Sequence, residues 1–345
     1  MVRLSDIFGQ DAVIASLRAT VAADRLPHGL IFAGPEGVGK ATTASALAAF
    51  FLCERPGSDD ACGKCRSCHA IASGIHPDFH VITKELGRLH DKSGSSKATQ
   101  LSINVIRYNL AEPAGRKTVL GRGKVFLVEQ AELMTDAAQN ALLKTLEEPA
   151  GRCLIVLLTI QAGDLLPTIR SRCQTLRFPS LPRQLVATHL QRRGIDAATV
   201  AAAADFSDGS LGVALRWIED GILAHARAVA ESMDSILAGE GSDLADLLRK
   251  AADAYAAKAL ERDELASKDS AVRTGLGVYL SIAARRIRQR LRPDADANFL
   301  DHACDAVEAI ARAEKYLAAN VNVSLVLEQL AAALQDNAVQ DLLAK

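Results

Sequence analysis

The chain has 345 residues, with 40 Lys and Arg against 41 Asp and Glu, 49% hydrophobic residues and 4% aromatic ones. That length predicts two or three domains, each with enough apolar material to bury a core. The balanced charge excludes a protein that holds nucleic acid by itself through phosphate neutralisation, although not a member of an assembly on DNA. The N-terminal residues do not read as a signal peptide and no run approaches the ~20 apolar residues of a membrane span, so the expectation is a cytoplasmic protein with no membrane contact.

In chain order, a helix is predicted over 10–25, a strand over 28–33, a glycine-rich turn over 34–39 and a helix through Leu52. Further strands are predicted at 79–82, 125–128, 153–159 and 174–178, with helices at 103–111 and 136–148 between them. Strands alternating with helices imply a parallel sheet covered on both faces, an α/β domain over residues 1–178. The polar segment 84–99 is the candidate for local disorder. After Pro179 the pattern turns helical: a small unit over 179–220, then an Ala- and Leu-rich bundle of about five helices over 221–345.

Gly34-Pro-Glu-Gly37-Val-Gly39-Lys40 follows a predicted strand and opens a helix, the context of a phosphate-binding loop. Its glycines would let backbone N–H groups converge on phosphate oxygens while Lys40 reaches the β and γ phosphates. The next position should carry Ser or Thr for magnesium, yet it holds Ala41, with Thr42 and Thr43 displaced along the helix. Phosphate could still bind there, while the seat for magnesium is compromised. The run Val125 to Gln130 has the shape of the strand bearing the metal-side acidic pair of such ATPases, with Glu129 and Gln130 in place of Asp and Glu. An amide accepts no proton from water, so the general base is missing.

Of seven cysteines, Cys53, Cys62, Cys65 and Cys68 fall within sixteen residues. In a reducing compartment such clustering is read for metal rather than for disulfides. Four thiolates at x8, x2 and x2 spacings suit tetrahedral zinc, and an all-Cys shell leaves no open position, so the metal is expected to be structural. Cys153, Cys173 and Cys304 read as packing or surface thiols. Arg285, Arg286, Arg288, Arg290 and Arg292 form the most basic stretch, open to two explanations: a DNA contact, or a solvated helix end whose cations complement the helix dipole.

These motifs, with Ile7-Phe-Gly-Gln10, the string Thr135-Asp-Ala-Ala-Gln-Asn-Ala-Leu-Leu-Lys-Thr-Leu-Glu-Glu-Pro149, Ser171-Arg172-Cys173 and the segment Asn320 to Leu330, resemble the bacterial clamp-loader ATPase family over most of the chain. The resemblance implies an AAA+ P-loop domain with a zinc-binding insertion, a helical lid and an all-α collar that holds a ring together. It implies a place in DNA polymerase III, with gamma/tau and delta clamp-loader subunits as partners in a hetero-oligomeric ring. The sliding clamp and primer-template DNA would be met through the assembly.

Family motors keep Thr after the loop lysine, the Asp-Glu pair, and an Arg in the lid's Gly-Ser-x-Arg stretch, where this chain has Ala41, Glu129-Gln130 and Gly212. Ser171-Arg172-Cys173 is intact, and in the family this arginine reaches a neighbour's ATP site as a trans arginine finger. The expectation is therefore a non-hydrolysing stator subunit that lends Arg172 to its neighbour. ATP or ADP at the loop formed by Gly34, Gly37, Gly39, Lys40 and Thr42 is left open. Two alternatives stand beside it: a gamma/tau-type ATPase using Glu129 with Thr42 as metal ligand, and a free-standing zinc-containing nucleotide sensor.

Overall fold

The structure is a computed structural model that describes residues 2–90, 100–238, 240, 243–262, 267–292 and 297–343. It divides into two compact units, residues 1–186 with 208–213, and residues 187–207 with 214–345.

The first unit is built on five parallel strands, β1 (Gly29–Ala33), β2 (Phe79–Ile82), β3 (Lys124–Val128), β4 (Cys153–Thr159) and β5 (Gln174–Arg177), in the order β2-β3-β4-β1-β5. β1, β3 and β4 are buried along their whole length, which is why they read as unbroken apolar runs. Their side chains alternate between two cores. Leu30, Phe32, Val125, Leu127, Leu154, Val156 and Leu158 face helices α1 (Asp11–Ala22) and α2 (Lys40–Leu52) through Leu17, Leu47 and Phe51. Ile31, Phe126, Val128, Ile155 and Leu157 share the opposite core with Leu142 and Leu146. Placing β1 between β4 and β5 creates a topological switch at the carboxyl edge of the sheet, where α/β folds bind ligands. This is the AAA+ P-loop arrangement.

A third cluster packs Leu4, Ile14, Ala46, Phe50 and Ala61 around Cys53 and Cys68, seating the cysteine segment on α1 and α2. Asp60 fastens it further: its carboxylate accepts from the Leu4 and Ser5 N–H groups at 3.2 and 3.0 Å. Helix α3 (Arg66–Ala72) returns to β2 through His76, whose Nδ1 accepts the Asp78 N–H at 3.1 Å. That fixes the tautomer, so His76 Nε2–H donates to Ser67 Oγ at 2.8 Å. Burial lowers the His76 pKa, keeping the neutral ring that this arrangement needs.

The predicted strands recur within a residue or so at each end. The predicted helix over 103–111 begins as Ile103–Ile106 and continues as a π turn, Arg107–Ala111. Helix α4 (Asp136–Glu147) starts at an N-cap, Thr135, whose hydroxyl accepts the Ala138 N–H at 3.2 Å. It stops before Pro149, which disfavours helical backbone at Glu148. From residue 91 the polar segment lies outside the described residues; its start, Lys84–Leu86 and Gly87–His90, is helical.

In the second unit the bundle is formed by Ile222–Leu237, Leu244–Arg262, Lys268–Arg290, Ala297–Ala318 and Val323–Leu343. Tyr279 is among its largest fully buried side chains. Two members of the basic stretch pair within the bundle's own helices: Arg286, partly buried, and Arg290, exposed, both fork onto Asp234, with Nε to Oδ1 distances of 2.8 and 3.0 Å. Burial works against the Asp234 carboxylate, but the Arg290 and Arg286 guanidiniums override it and hold its pKa at about 2.

Asp78 is one of the buried polar groups that hold the sheet unit together. It is buried, and its two oxygens accept the Val119 and Leu120 N–H groups at 2.8 Å each. Asp78→Ala is expected to lower unfolding stability by about 3 kcal/mol, because it removes two charge-assisted hydrogen bonds that hold the 119–120 backbone to the sheet. Urea unfolding measures the loss, and hydrogen exchange should show the Val119 and Leu120 amides deprotected.

Candidate functional site

Three constellations lie on the sheet unit. The phosphate loop sits at the carboxyl end of β1, where Gly39, at φ 104°, caps α2. Lys40 is folded back on the loop: its ammonium donates to Gly34 O at 2.5 Å and to Pro35 O at 2.6 Å. Burial lowers its pKa against the pull of two carboxylates, Glu132 and Glu36. For phosphate to bind, Lys40 would have to exchange those carbonyls for phosphate oxygens beside two negative charges. Ala41 and Thr42 are exposed, while Thr43 is buried with its hydroxyl donating to Gly39 O at 2.8 Å within its own helix.

A segment from beyond Pro179 lies on this loop. The Gly212 N–H donates to Gly37 O at 2.9 Å, and a Cβ on Gly212 would fall 2.9 Å from Gly37 Cα. Gly37, at φ 71°, is equally confined, since its own Cβ would meet Ser210 Oγ at 2.2 Å. The approach is thus backbone to backbone, which only glycine permits at both positions. Gly212 does more than omit an arginine: it lets the chain lie flat on the loop. Gln10 ties the same region together, donating to Val38 O at 3.2 Å and Pro179 O at 2.9 Å.

Glu129 is half-buried at the end of β3, and burial, followed by the Glu85 carboxylate, raises its pKa. Gln130 is exposed in the left-handed region at φ 49°. The carboxylates acting on Lys40 are instead Glu36 and Glu132, neither of which sequence reasoning singled out. Glu36 was readable, being inside the loop motif. Glu132 sits in the short turn Ala131–Leu133 after β3, and its approach to Lys40 is a tertiary event with no local signature.

The second constellation is the cysteine set. The sulfurs of Cys53, Cys62, Cys65 and Cys68 all lie within 4.8 Å of one another. Three separations are 3.7 Å (Cys53 to Cys68), 3.9 Å (Cys53 to Cys65) and 3.9 Å (Cys62 to Cys68). Ligand bonds of ~2.3 Å in a tetrahedron set sulfurs about 3.8 Å apart, so the set could hold one ion without rearrangement. Backbone N–H groups already serve the sulfurs: Cys62 to Cys53 Sγ at 3.3 Å, Lys64 to Cys62 Sγ at 3.4 Å and Cys68 to Cys65 Sγ at 3.4 Å. The Lys64 N–H is the main reason the Cys62 pKa falls to about 6, whereas burial raises those of Cys53 and Cys68.

The third is Arg172, in the turn before β5. Gln174 pairs with Leu30, so Arg172 lies at the amino edge of the sheet, whereas Lys40 follows the carboxyl edge of β1. A Cβ on Gly29 would sit 2.8 Å from Cys173 Sγ and 3.2 Å from Arg172 O, which shows how closely the turn packs on the start of β1. Burial raises the Cys173 pKa to about 12, so this thiol is a packing group.

Residues 9–182 match the family model described as DNA polymerase III, delta subunit, about half of the chain. The chain belongs to the delta′ family of DNA polymerase III clamp-loader subunits. It is 35% identical to the DNA polymerase III subunit delta′ of Escherichia coli (strain K12) over 200 residues, 58% of this chain and 57% of that one. The delta′ subunit of Pseudomonas aeruginosa is 39% identical over 146 residues, 42% of this chain and 41% of the relative. A gamma/tau subunit of Mycobacterium tuberculosis is 31% identical over 195 residues, 55% of this chain and 32% of that one. The chain spans about half the length of the curated delta′ relatives it matches. No described helix is long and apolar enough to cross a membrane.

The Gly37 to Gly212 contact has a direct test. Gly212→Ala places a Cβ against backbone that cannot yield, so the Gly212 N–H to Gly37 O bond should be lost at a cost of about 1–3 kcal/mol. Faster hydrogen exchange at residue 212, with α2 still protected, is the expected outcome.

Proposed function

We propose that this chain is a non-hydrolysing stator of a DNA polymerase III clamp loader, which braces the ring and lends Arg172 to the ATP site of a neighbouring subunit. The observation that carries this reading is the placement of Arg172 and Lys40 at opposite edges of one parallel sheet. A strand of five residues spans roughly 16 Å, beyond the reach of an arginine side chain. Arg172 therefore cannot serve the chain's own phosphate loop, which supports a use at a nucleotide held by another chain.

In that role the guanidinium, always charged and with a planar fork of donors, would meet the γ-phosphate oxygens as charge spreads over them during transfer. The chain's own loop is poorly equipped for the same reaction. Ala41 offers no ligand to magnesium, Gln130 accepts no proton from water, Gly212 supplies no cation, and Glu36 and Glu132 set negative charge beside Lys40. Gly34, Gly37, Gly39, Lys40, Thr42, Glu129 and Gln130 then form the frame of an ATP site without its working parts. The likeness to both delta′ and gamma/tau subunits supports gamma/tau and delta as ring partners, with the sliding clamp and primer-template DNA met through the assembly in the cytoplasm.

Zinc suits the four cysteines, since thiolate ligands at tetrahedral separations favour it and a filled all-sulfur shell leaves no site for water. The metal would be structural, closing the segment between α2 and α3.

Two measurements test these assignments. Arg172→Ala should assemble normally with gamma/tau and delta, yet slow single-turnover hydrolysis at the ATP site it serves by ~10³; an unchanged rate would mean that Arg172 is not the finger. Metal analysis of protein purified without chelator should find one zinc per chain, and Cys65→Ser should lower that content. Metal-free wild-type protein would refute the zinc site.

A further inference from the structure

Arg172 does not extend freely from its turn. Its Nε donates to Glu147 Oε1 at 2.8 Å, and Nη2 meets the same oxygen at 2.6 Å. Nη1 donates to Thr168 O at 3.0 Å and to Ser171 Oγ at 3.3 Å, and Ser171 Oγ in turn donates to Thr168 O at 3.1 Å. One edge of the guanidinium fork is therefore fixed by a carboxylate from α4, and Nη1 by the turn's own backbone and hydroxyl. Nη2 carries a second hydrogen on the other edge of the fork.

The position of Glu147 gives an independent reason to look for a task. It occupies the last residue of α4, where a carboxylate opposes the negative end of the helix dipole and is disfavoured on its own account. The helix end is also held in place. His28 Nε2 bonds Leu146 O at 2.5 Å, which pins the last turn of α4 to the residue that precedes β1. Glu147 thus projects from a fixed support, as a group that must hold another to sub-ångström tolerance requires.

We propose that Glu147 is a positioning residue for Arg172, ordering the guanidinium so that it meets a neighbour's γ-phosphate without first having to be immobilised. This rests on the reading of Arg172 as a trans arginine finger. A long surface side chain loses much rotamer freedom when it is fixed, and a group ordered beforehand loses less at the moment of reaction. The pair is partly exposed, with side-chain exposures of 36% for Arg172 and 47% for Glu147, so a modest effect is expected rather than an essential one.

The test uses the complex reconstituted with gamma/tau and delta subunits and isolated by size exclusion, followed by single-turnover ATP hydrolysis over a range of ATP concentrations. Glu147→Ala should lower the rate constant at saturating ATP about five-fold and leave the half-saturating ATP concentration unchanged. Glu147→Gln, which keeps an acceptor oxygen, should stay near the parent rate. In an Arg172→Ala background, Glu147→Ala should have no further effect. A Glu147→Gln complex as slow as Glu147→Ala, a Glu147→Ala complex at or above the parent rate, or losses that add to those of Arg172→Ala would each overturn the proposal. An Arg172→Ala complex at the parent rate would instead overturn the finger itself, and the role of Glu147 with it.

Discussion

Everything on the sheet unit follows from the burial of β1 between β4 and β5. A strand whose five residues are all covered must have its neighbours in fixed register, and its two ends become fixed points on opposite edges of the sheet. The glycine loop leaves one end; the His28 anchor and the Ser-Arg-Cys turn crowd the other. The two chemical features of the chain are therefore separated by a rigid spacer. Neither can move toward the other without breaking the most deeply buried part of the fold.

The same logic explains why the arginine edge is built from three separate segments. Residue 28 supplies the pin, the end of α4 supplies the carboxylate, and the turn before β5 supplies the guanidinium. They are far apart in sequence and meet because β1, β4 and β5 are adjacent strands. A substitution in the Leu146 side of the core would therefore be felt at the surface arginine, because Leu146 belongs to the buried cluster and its carbonyl is the pinned one.

How much of this was legible in the sequence depends on how local each feature is. β3 and β4 announce themselves because strands buried on both faces need continuous Val, Ile, Leu and Phe. The cysteine set is legible because its ligands lie close together along the chain, with spacings that a single ion can bridge. The phosphate loop is legible as a motif, but its state is not. That Lys40 turns back on Gly34 and Pro35, that Gly212 lies on Gly37, and that Glu132 approaches Lys40 all depend on segments brought together by the sheet. The arginine stretch near residue 290 illustrates the same gap: its composition left a DNA contact and a solvated helix end open, and gave no sign that Arg286 and Arg290 share one aspartate from a helix distant in sequence.

The phosphate loop also bears on how such a sequence can change over time. In a loop that does not hydrolyse ATP, as proposed for this chain, catalysis places no demand on the glycines and the lysine. Gly37 and Lys40 have other tasks: a Cβ at Gly37 would strike Ser210 Oγ, and Lys40 donates to the Gly34 and Pro35 carbonyls of the turn. Packing alone therefore gives the motif residues a reason to be there, whether or not the loop turns over ATP. Its presence in a sequence is then a record of packing, and a poor guide to whether the protein still consumes ATP.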